Sequence, residues 1–334
     1  MSEQRQLLAD SAARAFESHD RQRNSWQALE ELGIADILVA ETSGGTGADW
    51  DDACAVLQAS GRWQIALPLA EAMLARKLAA DAGLEVPRSP ISIAPDATGV
   101  LSRDGRTWRF SGVLPSVPWG RDVAHVVTSL QFEDRPHTVV LSVTDANLHK
   151  RTNLAGEPRD DLRFEAVPAL AAQATCNEAQ RLFYYAALAR TAQIAGALES
   201  ALERSIAYAL ERKQFGRPIG QFQAVQQQLA LFGAETAAAL CASRSAAIAA
   251  TAGDASLQIA AAKLRANQAI GVATATAHQV HGAIGFTWEF PLRHATQRLW
   301  SWRSEYGNDR FWSEQLGRTV IARGADTFWT DLTR

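Results

Sequence analysis

From residue 181 to residue 282 the chain is a nearly continuous, alanine-rich helical pattern, broken only around residues 212–221 and 253–254, and this limits what it can fold into. The first run carries Phe183, Ala187, Ile194, Leu198, Leu202, Ile206 and Leu210 on one stripe, the spacing of a single helical face. At 1.5 Å per residue a helix from near Arg181 to Lys213 is about 50 Å long, which belongs in a bundle. A second helix is predicted from Phe222 to Ala252, ending at Gly253. A third starts after Asp254, read as its N-cap, and runs towards Gly282; a fourth follows Trp288. Alanine on so many faces allows close helix–helix approach, as in a four-helix assembly.

Two other zones precede the bundle. Residues 1 to about 90 read as helices, with Trp26, Leu29 and Leu32, then Ala53, Val56 and Leu57, at helical spacing. The loop ETSGGTGAD (41–49) interrupts them, and Asp49 is placed to cap the next helix. Its GGxG lacks a preceding buried strand and a phosphate-binding lysine, so it is read as structural. Residues 91–168 change to short β-type runs (ISIA, TWRFSGVL, HVVTSL, HTVVLSV) punctuated by Pro115, Pro118 and Gly120. The expectation is a mainly α protein with a small middle β-domain: 1–90 helical, 91–168 β, 169–334 a four-helix bundle.

Charge excludes some partners. Lys and Arg total 33 against 36 Asp and Glu, a net charge of −3, so neither nucleic acid nor an anionic membrane is indicated. Cys54, Cys176 and Cys241 have no metal or disulfide framework, which reads as a reducing cytoplasm. MSEQRQLLADSAARAF has no apolar segment of a secretory signal, and the longest uncharged run, Ala266 to Trp288, holds Asn267, Gln268, Gln279 and two histidines, too polar for a bilayer. His278 and His281 lie three apart with no third ligand, so no metal is assigned. Trp300, Trp302, Trp312 and Trp329 read as core or subunit-contact residues, and Tyr184 and Tyr185 as volume-filling.

Chemistry concentrates in the two breaks. ERKQFGRPIGQFQAVQ (211–226) joins two bundle helices, yet holds far more than a connection needs. A cation such as Arg212 is favoured in a last helical turn by the dipole alone. The full string also supplies a planar guanidinium suited to a diphosphate, a ring able to cover an adenine or ribose, and Gln223 and Gln226 three apart on one face. QVHGAIGFTWE (279–289) places Gly282 and Gly285 at the next helix end, either as a C-cap and turn or as a close approach of backbone to phosphate or a flat ring.

These two stretches resemble the signature segments of the acyl-CoA dehydrogenase family, and LGIADILVAETSGGTGADWDDACAVLQASGR is similar to that family's helix, GGxG loop and following helix. The likeness covers nearly the whole chain. It implies an N-terminal helical domain, a β-domain, a C-terminal four-helix bundle, FAD, an acyl-CoA substrate and an electron-transfer flavoprotein as acceptor. In the family the arginine loop reaches a neighbouring subunit's FAD. That role falls on Arg212, Gln214 and Phe215, with Ile219, Phe222 and Gln223 beside them; Gln279, Gly282 and Ala283 complete the cradle.

The family reaction needs a carboxylate whose pKa is raised in a dry pocket until it removes the α-proton. At the usual place this chain reads SEYGND, with Glu305 before Tyr306, and a one-residue shift on a helix turns a side chain by about 100°. The family's alternative position falls on Ala186. The β-domain stretches APDATGVL and SGVLPSVPWGRD lack the hydroxyls that hold the flavin ring, leaving Trp119 as a packing residue. Such a chain is expected to be the non-catalytic member of a heteromeric acyl-CoA dehydrogenase, two copies of each subunit, completing its homologous partner's FAD site and serving bulky substrates such as steroid side-chain thioesters. The alternatives are a self-sufficient homo-oligomer using Glu305, a flavin-free scaffold, and a flavin monooxygenase or oxidase.

Overall fold

Apolar spacing dictates the order of elements. The computed structural model describes residues 3–19, 25–174, 178–327 and 330; Cys176 and Trp329 lie outside them. Helices α1 (Glu3–His19), α2 (Ser25–Glu31), α3 (Trp50–Arg62) and α4 (Leu69–Asp81) come first. Asp49 caps α3 as expected, its Oδ1 accepting from the Asp52 N–H at 2.9 Å. Trp50, Ala53, Val56 and Leu57 are buried along α3, and Leu69, Ala72, Met73 and Leu78 along α4.

The strands are β1 (Ile91–Ile93), β2 (Thr98–Asp104), β3 (Thr107–Pro118), β4 (His125–Phe132), β5 (Arg135–Ser142), β6 (Asn147–His149) and β7 (Arg159–Gln173). They form one sheet in the order β1-β4-β5-β7-β3-β2, with β6 on β7. Only β1–β4 is parallel among these pairings. The long strand β7 pairs with β3 over most of its length and with β5 from Leu170 onward. Phe110, Leu114, Val117, Leu141, Leu162 and Phe164 form the core, and Trp119 packs against it, as a packing residue should.

The remaining elements are α5 (Glu178–Glu211), β8 (Lys213–Gln214), β9 (Arg217–Pro218), α6 (Gln223–Ala252), α7 (Ser256–His281), α8 (Pro291–Ser304) and α9 (Asp309–Arg323). Two compact units result: residues 1–60 with 65–186, and residues 61–64 with 187–334. Within the second, Ile194 and Leu198 of α5, Phe232 and Ala239 of α6, Ala266, Ile270 and Ala273 of α7, and Leu292, Leu299 and Trp302 of α8 share one core. Alanine supplies much of it, because a small side chain lets two backbones approach and still fills the gap. Asp254 is not the residue flanking α7, as the sequence had indicated. It sits one residue earlier and closes an Asx turn, accepting from the Ser256 N–H at 3.0 Å.

Candidate functional site

The α5–α6 connection is a preformed β-hairpin. The Arg212 N–H donates to the Tyr208 carbonyl at 2.9 Å, continuing α5 by one bond, and the Ile219 N–H donates to the Arg212 carbonyl at 2.8 Å. Gln214 pairs with Arg217, so Phe215 and Gly216 form a two-residue turn. Their φ values are +50° and +79°, the double left-handed pattern of a type I′ turn. Gly216 suits that geometry. Phe215 does not, and holding a side chain there costs about 1–2 kcal/mol. Its ring is 92% exposed. Behind it, Phe222 meets it edge-on at 6.1 Å, and the Arg217 guanidinium lies 4.3 Å over the Phe222 ring. Arg212, Lys213 and Gln214 are exposed on the same hairpin, and Ile219, Phe222 and Gln223 lead into α6.

The second break begins where α7 ends at His281. Gly282, at φ +64° and ψ −143°, caps the helix, its N–H donating to the His278 carbonyl. Gln279, Gly282 and Ala283 are exposed; Gly285 is buried, and a Cβ added there would meet His281 Cβ at 3.0 Å and Leu292 at 3.2 Å. The two loops share one end of the second unit. Tyr208, one turn before Arg212, stacks on His281 with ring centroids 4.6 Å apart, and Phe290 lies 5.1 Å from His281. Sequence reasoning missed this bridge. The available signal was a ring beside each loop, Tyr208 one turn before Arg212 and His281 at the last residue of α7.

Glu305 sits elsewhere in the unit and is engaged. It is not on a helix, as the 100° argument assumed: it follows the last residue of α8 with ψ 135°, and Tyr306 turns left-handed at φ +54°. Its carboxylate therefore points as the turn directs, and it pairs with Arg190 at 3.0 Å. The Arg190 guanidinium also lies over the rings of Trp302 and Tyr306, at 5.2 and 5.6 Å. Lys263, wholly buried, donates to Asn267 Oδ1 at 2.7 Å and to the carbonyls of Trp302, Arg303 and Gly307 at 3.1, 3.2 and 3.3 Å. Burial pulls the Lys263 pKa down to about 7, against the pull of Glu305. The turn is a clamped ion cluster. Ala186, at the other position considered for a base, is a buried alanine.

The donors of the hairpin end fit a dinucleotide diphosphate: a guanidinium, amide side chains at Gln214, Gln223 and Gln279, and a glycine where backbone must come close. No group of three or more His, Cys, Asp or Glu side chains able to hold a metal occurs among the described residues, and no helix among them is long and apolar enough to cross a membrane.

Comparison with known proteins gives the same family. Residues 176–320 match the model for the acyl-CoA dehydrogenase C-terminal domain. The chain is 27% identical over 311 residues to acyl-CoA dehydrogenase IpdE2 of Mycolicibacterium smegmatis, covering 88% of this chain and 91% of that protein. Among solved structures, the ChsE4-ChsE5 complex from Mycobacterium tuberculosis superposes with a TM-score of 0.87 at 21% identity, covering 97% of this chain and 99% of that one. The Tcur3481-Tcur3483 steroid ACAD superposes at 0.86 with 24% identity, over 97% and 99%. The structural neighbours share the fold, the family model matches residues 176–320, the stretch that carries both loops, and the chain therefore carries the C-terminal domain of the acyl-CoA dehydrogenase family, a family of FAD-dependent oxidoreductases.

Proposed function

We propose that this chain is the non-catalytic subunit of a heteromeric acyl-CoA dehydrogenase, and that its hairpin completes the FAD site of a homologous catalytic subunit. The observation that carries the reading is a contrast. Phe215 is held in a strained turn with its ring in solvent beside the exposed Arg212, whereas Glu305 is tied to Arg190. Strain retained at an exposed tip is characteristic of a contact made with something outside the chain. Turning Glu305 towards a substrate would break its ion pair with the buried Arg190.

In this arrangement Arg212 pairs with the diphosphate, Gln214 and Gln223 donate amide hydrogens, Phe215 covers the adenosine end with Ile219 and Phe222 behind it, and Gln279, Gly282 and Ala283 border the same ligand. Bound FAD supplies the hydride acceptor for α,β-dehydrogenation of the acyl-CoA, and the partner supplies the proton-abstracting carboxylate. A bulky thioester of the steroid side-chain type is the favoured substrate class. One neighbour is a steroid ACAD and another is a complex of two chains, which supports both the substrate class and an assembly of unlike subunits. An electron-transfer flavoprotein is the proposed acceptor, and two copies of each chain the proposed assembly.

Co-expression with the homologous dehydrogenase chain from the same source tests this. The assembly is expected to hold FAD and turn over, the isolated chain to do neither. Arg212→Ala in the assembly should cut FAD occupancy at least tenfold, since each lost charge-assisted contact to the cofactor removes about 1.5–3 kcal/mol. Full flavin occupancy and turnover by the isolated chain would overturn the reading.

A further inference from the structure

Two histidines, His281 buried and His278 half-buried, hold the second loop, and the family assignment makes no use of them. His278 stacks on Phe286 at 4.1 Å and His281 on Tyr208 at 4.6 Å, so the segment from Gly282 to Phe290 is gripped on both sides by imidazole rings. Their tautomers follow from their partners. A carbonyl only accepts, so His281 Nδ1 carries the hydrogen it gives to Ala277 O at 2.8 Å. Thr296 Oγ1 donates to the Arg293 carbonyl at 3.1 Å, so it accepts from His278 Nε2, 3.0 Å away. Each ring is thereby left with one bare acceptor nitrogen, His281 Nε2 and His278 Nδ1. Both are buried and have no hydrogen-bond partner, and Gly285 sits against His278 Nδ1.

We propose that His278 and His281 form a proton-released latch on the 282–290 segment, which neutral rings hold closed and a second proton on either ring lets go. The added N–H would enter a site with no acceptor, and the added charge would meet only charge of its own sign. Arg204, from α5, acts on His281, and His281 acts on His278; the remaining facing groups are the uncharged Tyr208, Phe286, Phe290 and Thr296. Burial is the first cause for both rings and holds both pKa values below the usual 6.5; on His281 the bond to the Ala277 carbonyl pulls the other way and Arg204 adds to burial, and on His278 the charge of His281 adds to it. The unfolded or opened segment takes up protons first as pH falls through that value, so the closed form is favoured above it and loses ground below. Any consequence for FAD rests on the function proposed above; the latch itself does not.

Hydrogen exchange on the full chain, corrected for intrinsic rates, tests it. Protection of 282–290 should fall about tenfold between pH 7.5 and pH 5.5, corresponding to about 1.4 kcal/mol, while α6 keeps its protection. His278→Phe with His281→Phe retains the stacks and should remove the pH dependence. An equal loss in that variant, or no loss in the wild type, would overturn the proposal. Imidazole nitrogen chemical shifts provide a second check that needs no variant: each ring should be neutral at pH 7.5 with the tautomer given above, and a protonated ring or the opposite tautomer would overturn it.

Discussion

Lys263 shows what a single buried charge asks of its surroundings. Its ammonium, on α7, is fully enclosed, and four oxygen acceptors converge on it: Asn267 of α7, the Trp302 and Arg303 carbonyls in the last turn of α8, and the Gly307 carbonyl between α8 and α9. An unfolded chain keeps that proton up to about pH 10.5, the folded chain only to about 7, so between those values the unfolded state binds the extra proton. Stability should therefore rise with pH across that window, by at most about 1.4 kcal/mol per unit, with the burial cost fully present below it. Lys263→Met removes the slope and leaves Asn267 Oδ1 and three carbonyls short of a donor. Urea denaturation should find it about 1–3 kcal/mol less stable at pH 7, a gap that widens towards pH 9.5. Glu305→Gln breaks the Arg190 pair and should cost about 3 kcal/mol of stability. In the assembled enzyme it should leave turnover intact. A collapse of turnover with an unchanged melting temperature would instead make Glu305 the base. No pattern in the sequence announced this cluster, because Lys263 lies in an alanine-rich helix where only the fold shows that its face is buried.

The elements differ in how well the sequence declared them. The long helices were legible because an apolar stripe sustained over many turns has one solution, and Gly253 and Gly282 punctuate it. Strand β7 was not seen: Arg159, Asp160 and Asp161 open it and Pro168 interrupts it, yet Asp160 is buried by accepting from the backbone N–H of Arg121 and Arg151 and pairing with the Arg121 side chain. Tertiary partners overrode local propensity there. The 213–218 hairpin was also read only as a loop, since Phe at a left-handed turn position contradicts the turn rules that identify hairpins. That contradiction makes a sharp prediction. Phe215→Asn places a residue tolerant of left-handed φ at the tip, and should raise the stability of the isolated chain by up to about 1 kcal/mol. The same change should lower FAD retention by the assembly severalfold. A variant that leaves both unchanged would mean that Phe215 contacts neither cofactor nor partner.

For the second unit as a whole, the Tyr208–His281 stack brings the two loops, and with them a set of outward-facing apolar side chains, to one end. Leu210 and Phe215 project from the α5 end, and Ile284, Phe286 and Trp288 from the α7 end, with Arg293 lying 4.4 Å over the Trp288 ring. Contiguous apolar groups rimmed by cations are costly to leave in water, and such patches mark contact surfaces. Their burial is non-directional and little affected by salt, whereas Arg212 with a diphosphate is screened as ionic strength rises. The two contributions can therefore be separated by salt. If a homologous chain covers this end, the co-expressed assembly should remain one species in sedimentation velocity from low salt to about 1 M, while its FAD occupancy declines over the same range. Arg212→Ala should flatten the FAD response without dissociating the chains. Dissociation by salt alone, with FAD still bound to the partner, would mean that the cofactor site is complete without this hairpin.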